Sequence, residues 1–243
     1  MKKILILVQV IGLTILMACT SGGGTPEQPY TVKSGIVTYK PMEMMGVKVN
    51  QTLYFDEYGK KEMRETKVEG NMMGMEMRQH TIDIRDGNIV YHYELENMSG
   101  GQNIATKEAI KQTLTPDILE QINIQTMTKE LKAKFNYKEE GKETVAGKEG
   151  TKYTLTPDST NTEMRITGVH FKNIPLKFSN GQMEIIAEKV ETGVSIAADK
   201  FKVPAGYKII DESAQKAAPS MGSDAQAPAD TSSAPAMPGE GGK

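Results

Sequence analysis

The sequence has no tryptophan and only one cysteine, Cys19, among its 243 residues. A lone cysteine cannot form a disulfide within the chain, and without a Cys-x-x-Cys motif there is no cysteine-based zinc site. Charge is also nearly balanced, with 29 basic and 31 acidic residues and a formal net charge of −2. So small a charge, of negative sign, does not attract nucleic acid. Disulfide frameworks, cysteine zinc sites and nucleic-acid binding are therefore excluded.

The sequence motifs of common catalytic sites are missing as well. We find no G-x-S-x-G, H-E-x-x-H, P-loop or dinucleotide-binding fingerprint in the sequence. The chain has many carboxylates, but any two of them can be paired on paper, so their abundance does not indicate catalysis. We therefore expect a protein that is not an enzyme and that uses no cofactor.

The N-terminus has the layout of a secretory signal peptide. Met1 to Lys3 carry positive charge, Ile4 to Met17 form an apolar run, and the small residue Ala18 precedes Cys19. The apolar run is too short for a comfortable transmembrane helix. We therefore predict that residues 1–18 are a signal peptide.

The four residues Leu16-Met17-Ala18-Cys19 resemble the lipobox of bacterial lipoproteins, with a methionine where a smaller residue is usual. The resemblance implies cleavage before Cys19, which then carries a diacylglycerol and an amide-linked acyl chain such as palmitate. Each buried methylene contributes roughly 0.8 kcal/mol, so three chains anchor a protein firmly. Thr20 is not the aspartate that retains many lipoproteins in the inner membrane. The resemblance therefore implies the outer membrane, with the protein facing the periplasm.

Composition divides the remainder of the chain. Residues 19–29 begin with the lipidated cysteine and continue as a flexible tether. Ser213 to Lys243 contain no Ile, Leu, Val or aromatic residue, so this segment cannot bury enough apolar surface to offset its ordering entropy. We predict one folded domain over residues 30–212 and a disordered tail over residues 213–243.

Alternating apolar residues indicate β-strands in the first part of this domain. Val47, Val49, Leu53 and Phe55 alternate with polar residues or tyrosine. The stretches FDEYGKKE and RDGN are typical of hairpin turns, with Gly59 at the position of the first that needs a positive φ. We predict a meander of consecutive antiparallel strands.

The pattern changes between Thr106 and Leu131. Ile110 and Leu114 begin a series of apolar residues at helical spacing, and Thr115-Pro116 is a good pair for a helix N-cap and first turn. We predict two or three short amphipathic helices here, before strands resume at TKYTLT.

Several motifs in the second half carry a family resemblance. They are Gly147 ahead of the strand with Tyr153, the segment from Gly168 to Phe178, and the segment FKVPAGY that begins at Phe201. Together with the order strands, short helices, strands, these motifs resemble the lipoprotein-localisation-factor-like superfamily. That superfamily includes the DUF4412-type domains of envelope lipoproteins, and the resemblance covers most of residues 30–210.

The resemblance implies a mainly β (α+β) fold. Its core is a strongly curved antiparallel sheet, or half-barrel, with short helices covering the concave face. Relatives hold acyl chains in that concave, apolar cavity. One departure is that many relatives place a tryptophan on the strand occupied here by Met164 to Val169, whereas this chain has none.

Methionine is unusually abundant, with 16 residues. Met73, Met75 and Met77 alternate and so share one face of a predicted strand. Their flexible thioethers either fill a core under the helices or line a groove that accepts lipid, and the two interpretations overlap because a cavity and a core share walls. The candidate ligand-binding residues are Met73, Met75, Met77 and the apolar helix residues Ile118, Leu119 and Ile122.

Metal binding is a further interpretation. Thioethers select Cu(I), and His80 follows Met77 by three residues, but copper sites made of methionine typically lie in exposed loops rather than on strands. His80, Asp83 and His92 could also meet on adjacent strands. A position on the solvent face of a strand explains each of the three histidines, including His170, more simply. We therefore assign no metal site.

The sequence thus favours a membrane-anchored envelope lipoprotein that is not catalytic. It would bind a lipid or other hydrophobic ligand in a cavity between sheet and helices. The alternatives are a methionine-rich copper-binding lipoprotein and an envelope scaffold that binds a protein partner through its convex face. The expected partners are the membrane, through the acyl chains, and the hydrophobic ligand, with no nucleic acid.

Replacement of Cys19 tests the anchor. Cys19→Ala removes the sulfur to which the diacylglycerol is attached, so we expect the protein to lose acyl labelling and to remain unprocessed or become soluble. Metabolic labelling with an alkyne fatty acid, followed by membrane fractionation, measures both effects. A variant that stays acylated and membrane-bound at the wild-type level would contradict the lipobox assignment.

Overall fold

A computed structural model describes residues 28–44, 46–72, 75–99, 101–116, 118–119, 127–156 and 165–212. The predicted signal peptide, Cys19, nearly all of the tether and the predicted tail lie outside these ranges. What the sequence predicts for them therefore stays a prediction. Within the described ranges, no helix is both long enough and apolar enough to cross a bilayer.

The described residues form fourteen β-strands. The strands are β1 (Gly35–Tyr39), β2 (Met42–Met44), β3 (Val47–Asp56), β4 (Lys61–Met72), β5 (Met75–Asp86), β6 (Ile89–Ser99), β7 (Gln102–Asn103), β8 (Glu108–Thr113), β9 (Lys138–Val145), β10 (Lys148–Leu155), β11 (Ile166–Phe171), β12 (Ile174–Ser179), β13 (Glu184–Thr192) and β14 (Lys208–Asp211). One α-helix, α1 (Lys129–Lys134), and two 3₁₀ turns, Glu57–Gly59 and Ala198–Phe201, complete the elements of this part of the chain.

All fourteen strands belong to one sheet. Its order is β14-β8-β6-β5-β4-β3-β1-β13-β12-β11-β10-β9, with β2 added to β3 and β7 added to β6. Neighbouring strands are antiparallel except for β14 and β8, which are parallel. Since β14 and β9 lie at opposite ends of this order, the sheet is not closed. The predicted mainly β domain with a curved antiparallel sheet is confirmed.

The predicted meander is also confirmed, because β3, β4, β5 and β6 pair in sequence order. Gly59 has a φ of +84° in the β3–β4 turn, and Gly87 has a φ of +61° in the β5–β6 turn. Glycine adopts such a backbone conformation at no steric cost. The β3–β4 pairing starts with Val47 opposite Gly70 and continues without a slip. Local turn chemistry therefore sets the register between β3 and β4.

The sheet curls until its two halves share one hydrophobic cluster. Leu53 of β3 is buried in the same cluster as Val145 of β9 and Leu176 of β12. The hydroxyl of Tyr39 in β1 reaches across β13 and donates to the carbonyl oxygen of Pro175 in β12 at 3.1 Å. We call the side of the sheet that carries Leu53 the inner face.

Alternation along β3 explains the burial of the inner face. Successive side chains of a strand point to opposite sides of the sheet. Every second residue of β3 is buried, and these residues are Val47, Val49, Gln51, Leu53 and Phe55. Full burial of one apolar side chain of this size contributes roughly 1.5–3 kcal/mol, so the inner cluster is a major source of stability.

The opposite side, which we call the outer face, carries a second cluster. Met63 of β4 and Tyr93 of β6 are buried there together with Phe201 of the 3₁₀ turn. The ring of Tyr207 lies 5.0 Å from that of Tyr93, and its hydroxyl donates to the carbonyl oxygen of Glu94 at 2.9 Å. The segment that leads into β14 therefore covers the outer face.

The prediction of helices between Thr106 and Leu131 is wrong in its first part. Residues Glu108–Thr113 form β8, which pairs with β6 on one side and with β14 on the other. Ala109 is completely buried in the outer-face cluster. Both neighbours bond the main chain of this segment, so sheet pairing outweighs the helical spacing of Ile110 and Leu114.

Helical structure follows β8. The amide of Ile118 donates to the hydroxyl oxygen of Thr115 at 3.4 Å, and the amide of Leu119 donates to its carbonyl at 3.0 Å, so the predicted N-cap is present. Further along, Leu131 of α1 packs on a cluster around Tyr153. Residues 117 and 120–126 lie outside the described ranges. A cover of several short helices over a concave face is not supported, since the described residues contain one α-helix.

A buried ion pair joins β4 to β5 on the inner face. The guanidinium of Arg85 donates to Glu62 at 2.7 Å and to the carbonyl oxygen of Gly59 at 2.6 Å. Both charged side chains are 7% exposed. Burial, and next the carboxylate of Glu62, raises the pKa of the Tyr30 hydroxyl, which bonds to Glu62. The pair thus connects Tyr30, the β3–β4 turn and the strands β4 and β5.

Removal of one partner of this pair should cost more than removal of both. Glu62→Leu leaves the Arg85 charge buried without its carboxylate, so we expect a loss of about 3–5 kcal/mol in the free energy of unfolding. The double variant Glu62→Leu with Arg85→Met removes both charges and should lie closer to the wild type. Urea unfolding of the three proteins measures the difference. A double variant at least as unstable as Glu62→Leu would contradict this.

Candidate functional site

Two of the three predicted ligand-binding methionines lie on β5. Met75 is the first residue of the strand, but its side chain and the whole of Met73 lie outside the described ranges. Met77 is half-buried and packs against a small cluster of three valines around Val49. The structure therefore places Met77 on an apolar surface, and a ligand-binding role for all three methionines stays a prediction.

The predicted helix residues are less enclosed. Ile118 is 41% exposed and Leu119 is half-buried, just after the Thr115 cap. Ile122 lies outside the described ranges. A ligand-binding role for these three residues stays a prediction.

A pocket of about 270 Å³ lies between β2, the first half of β3 and the start of β13. Apolar side chains form much of its wall, and charged or amide side chains stand among them. The pocket is lined by Lys40, Pro41, Met42, Glu43, Val49, Gln182, Met183, Glu184 and Ile186. We call it the Met42–Met183 pocket.

This pocket is continuous with the hydrophobic core. Met42, Met183 and Ile186 are half-buried, and all three pack against the inner cluster. Met42 stands opposite Val49 in the β2–β3 pairing and also packs on the valine cluster that Met77 contacts. One apolar surface therefore runs from Met77 through Met42 into the pocket.

Local turn chemistry positions Met183. The side-chain oxygen of Asn180 accepts hydrogen bonds from the amides of Gln182 at 3.1 Å and Met183 at 2.9 Å. The β12–β13 connection therefore closes tightly and turns Met183 toward the core. Neither Met42 nor Met183 is among the ligand-binding residues that the sequence predicts. Met42 belongs to the methionine-rich stretch PMEMMG, which is a visible signal, whereas Met183 stands alone in the sequence.

Toward β6, the inner face becomes polar. Three rows of directly paired residues cross the strands from β3 to β6, and paired residues share a face. The rows are Gln51-Thr66-Thr81-Glu94, Leu53-Arg64-Asp83-His92 and Phe55-Glu62-Arg85-Val90. Most members on β4 and β5 are buried although they are polar or charged. We define the polar band as Gln51, Glu62, Arg64, Thr66, Thr81, Asp83 and Arg85.

The histidines lie in three different environments. His92 bonds to Asp83 at 2.7 Å between Nδ1 and Oδ1, and chiefly this hydrogen bond raises the pKa of His92. His80 bonds instead to Glu65 at 2.8 Å, on the outer face. The set His80, Asp83 and His92 is therefore divided between two faces. Across the described residues, no group of three or more His, Cys, Asp or Glu side chains could hold a metal ion.

The expectation that His170 lies on a solvent face is wrong. Its side chain is buried in β11, with the ring 6.1 Å from that of Tyr153. Neither ring nitrogen has a partner among the residues that the structure describes. Burial, followed by the charges of Lys142 and Lys132, lowers the pKa of His170 to about 4. The imidazole is therefore neutral at physiological pH, and it packs as part of the core.

Comparison with known proteins gives distant structural similarities. No family model and no curated protein matches the chain. It is similar to MucB in complex with MucA(peri), with a TM-score of 0.41, 14% identity, and 74% of this chain and 56% of that chain covered. A Pseudomonas aeruginosa MucA/MucB complex matches with a TM-score of 0.41, 14% identity and coverages of 76% and 60%.

A further similarity is to LprF from Mycobacterium bovis, with a TM-score of 0.33, 9% identity, and 76% of this chain and 94% of that chain covered. The chain spans 56% to 60% of the length of the MucB-containing structures that it matches. At these TM-scores, the similarities establish neither a common fold nor a common function.

The Asp83–His92 pair should make stability depend on pH. The pKa of His92 is raised in the folded protein, so its contribution is fully present below the unfolded pKa of about 6.5 and is lost as pH rises through the folded pKa. We expect His92→Gln to destabilise the protein more at about pH 5.5 than at about pH 9. Urea unfolding at both pH values measures this. A destabilisation of the same size at both pH values would contradict the charged pair. Asp83→Asn is the matched variant, because it removes the carboxylate of the same pair and should show the same pH dependence.

Proposed function

We propose that this protein is a membrane-anchored envelope lipoprotein whose domain binds a lipid or other hydrophobic ligand without catalysis. The observation that carries the proposal is the Met42–Met183 pocket, which extends the inner cluster to the surface. Anchoring through acylated Cys19, an outer-membrane location facing the periplasm, and membership of the lipoprotein-localisation-factor-like superfamily belong to the same proposal. They rest on the sequence features described above.

The character of the pocket wall supports an apolar ligand. Methionine is unbranched and flexible, so Met42 and Met183 can adapt to chains of different length and curvature. Pockets for small molecules usually measure about 300–1,000 Å³ and are mostly apolar with a few polar groups. A volume of about 270 Å³ lies just below that range. It therefore suits a segment of an acyl chain rather than a complete lipid.

A protein partner is a second candidate function, supported by a different observation. β14 is the last strand at one end of the sheet, so one edge of it has no neighbouring strand among the described residues. Ile209 on this strand is 52% exposed. An open edge with an exposed apolar side chain can accept a strand from a partner. This supports the scaffold alternative.

Photo-crosslinking of the full-length lipoprotein in its membrane tests the ligand proposal. A neutral alkyl probe that carries a diazirine should label peptides around Met42 and Met183. Met183→Asp places a carboxylate against the hydrocarbon, which we expect to reduce labelling by about tenfold or more, equivalent to at least about 1.4 kcal/mol.

Ile104→Asp is the matched control, because it makes the same kind of change at a side chain that is 45% exposed and does not line the pocket. It should label like the wild type, and the melting temperatures of both variants report whether they fold. Absence of labelling in the wild type, or equal labelling of Met183→Asp, would remove the support for a lipid-binding function. A pull-down dependent on β14 would then favour the scaffold.

A further inference from the structure

The polar band contains a buried cation that makes no salt bridge. Arg64 of β4 is 6% exposed, and its Nε–H is buried without an acceptor. The side chain makes no ion pair or hydrogen bond to any residue in the described ranges. A buried charge without a partner costs several kcal/mol, so a protein is expected to retain one where something else pairs with it.

The neighbouring carboxylate of Asp83 does not fill this role. Asp83 stands opposite Arg64 in the β4–β5 pairing, but its Oδ1 bonds to His92 and its Oδ2 is buried without a partner. Along this row the side-chain exposure rises from 17% at Asp83 to 34% at His92. The row therefore leads from the closed core at Leu53 to solvent at β6, which offers a route of entry.

Gln51 supplies a second group on the same face. Its Nε2 donates to the hydroxyl oxygen of Thr66 at 3.2 Å, whereas its Oε1 is buried without a partner. Because a hydroxyl both donates and accepts, the side-chain amide of Gln51 can flip, exchanging its oxygen and nitrogen, and still bond to Thr66. In that orientation the unpartnered group of Gln51 is its NH₂, a donor, which lies one pairing row away from Arg64 on the same face. A guanidinium and an amide donor together are the chemistry that recognises a carboxylate or phosphate.

The adjacent row shows that the fold satisfies buried charges elsewhere. Arg85 has Glu62 and the carbonyl of Gly59 as partners, one row away from Arg64 on the same face. The lack of a partner at Arg64 is therefore a local feature rather than a general property of the sheet. Buried groups that violate such rules are found mainly at functional sites.

The polar band and the pocket lie on the same face. Val49 lines the pocket, and Gln51 and Leu53 follow it on the inner side of β3. The four residue steps from Val49 to Leu53 cover about 13 Å of strand. An extended hydrocarbon chain of moderate length spans that distance. The inner face therefore offers an apolar wall at one end and the unpartnered Nε–H of Arg64 at the other.

We propose that Arg64 and Gln51 bind the anionic head, a carboxylate or a phosphate, of an amphiphile whose chain occupies the Met42–Met183 pocket. This inference rests on the proposed function and specifies its ligand class. Arg64 supplies the charge and Gln51 adds a neutral donor, while His92 bonds to one oxygen of Asp83, the carboxylate that stands opposite Arg64.

Alkyl diazirine probes of equal chain length test the head group on the full-length lipoprotein in its membrane. The four probes carry a carboxylate, a phosphate, a neutral sugar and a trimethylammonium head. For each probe, the labelling of a variant is divided by that of the wild type, which cancels partition of the probe into the membrane. We expect Arg64→Met to lose about tenfold or more with an anionic probe and little with the other two. Arg64→Lys should retain the anionic preference in part.

Arg78→Met is the matched control, because it removes an arginine from the outer face of β5 whose side chain is 46% exposed. It should label like the wild type with all four probes. A loss confined to the phosphate probe would identify a phospholipid head, and one confined to the carboxylate probe a fatty acid, and either supports the inference. Labelling by the neutral probe with no head-group preference in wild type or Arg64→Met would overturn it and leave the proposed function intact. Labelling by none of the four would remove both.

The melting temperature gives an independent readout. Replacement of an arginine that only supports the fold would lower it, whereas our inference predicts a rise. In a neutral detergent without anionic lipid, Arg64→Met replaces an unpaired buried cation with an apolar side chain of similar length. We expect its melting temperature to rise by about 2–4 °C. A fall in melting temperature would show that Arg64 supports the fold and would overturn the inference.

Discussion

The apolar cluster that contains both Leu53 and Leu176 is the interaction on which the rest of the structure depends. These residues come from strands that are three positions apart in the sheet, so they can meet only if the sheet bends strongly. Burial of their side chains supplies the free energy for that curvature. The hydrogen bond from Tyr39 to Pro175 fixes the bend at one point, because it spans an intervening strand.

Curvature creates an inner face whose two regions differ in chemistry. Around Val37 and Phe55 the side chains are apolar, and the cluster from the other half of the sheet covers them. Toward β6, the same face carries buried charges such as Glu62 and Arg64. A single strand contributes to both regions, because β4 places Val68 beside the apolar wall and Arg64 within the polar band. The inner face therefore joins an apolar region directly to a region of buried charge.

The two arginines of the polar band illustrate how a buried charge can serve different purposes. Arg85 bonds to a carboxylate and to a main-chain carbonyl, so its desolvation is compensated within the fold. Arg64 lies one row away with similar burial and no such compensation. Since the same sheet provides a partner for one and not for the other, stability alone does not account for Arg64.

Local features of the sequence were sufficient for the meander and for the cap at Thr115. Gly59 and Gly87 stand where a hairpin needs a positive φ, and alternation along β3 assigns its buried side. The same local reasoning failed for β8, since Ile110 and Leu114 have helical spacing but the segment pairs with two strands. It failed for His170 because burial of a polar ring depends on what packs over it.

The sequence by itself determined the strand pattern, the hairpin turns, the lipobox-like leader and the absence of common catalytic motifs, because each of these features depends only on residues that are close together along the chain. Only the tertiary structure decided which methionines line the pocket. Met42 and Met183 are 141 positions apart (183 − 42), and the curl of the sheet brings them to one wall. It also decided that Arg64 is buried without a partner, since the residues that surround a side chain depend on strand order and register rather than on its neighbours in sequence.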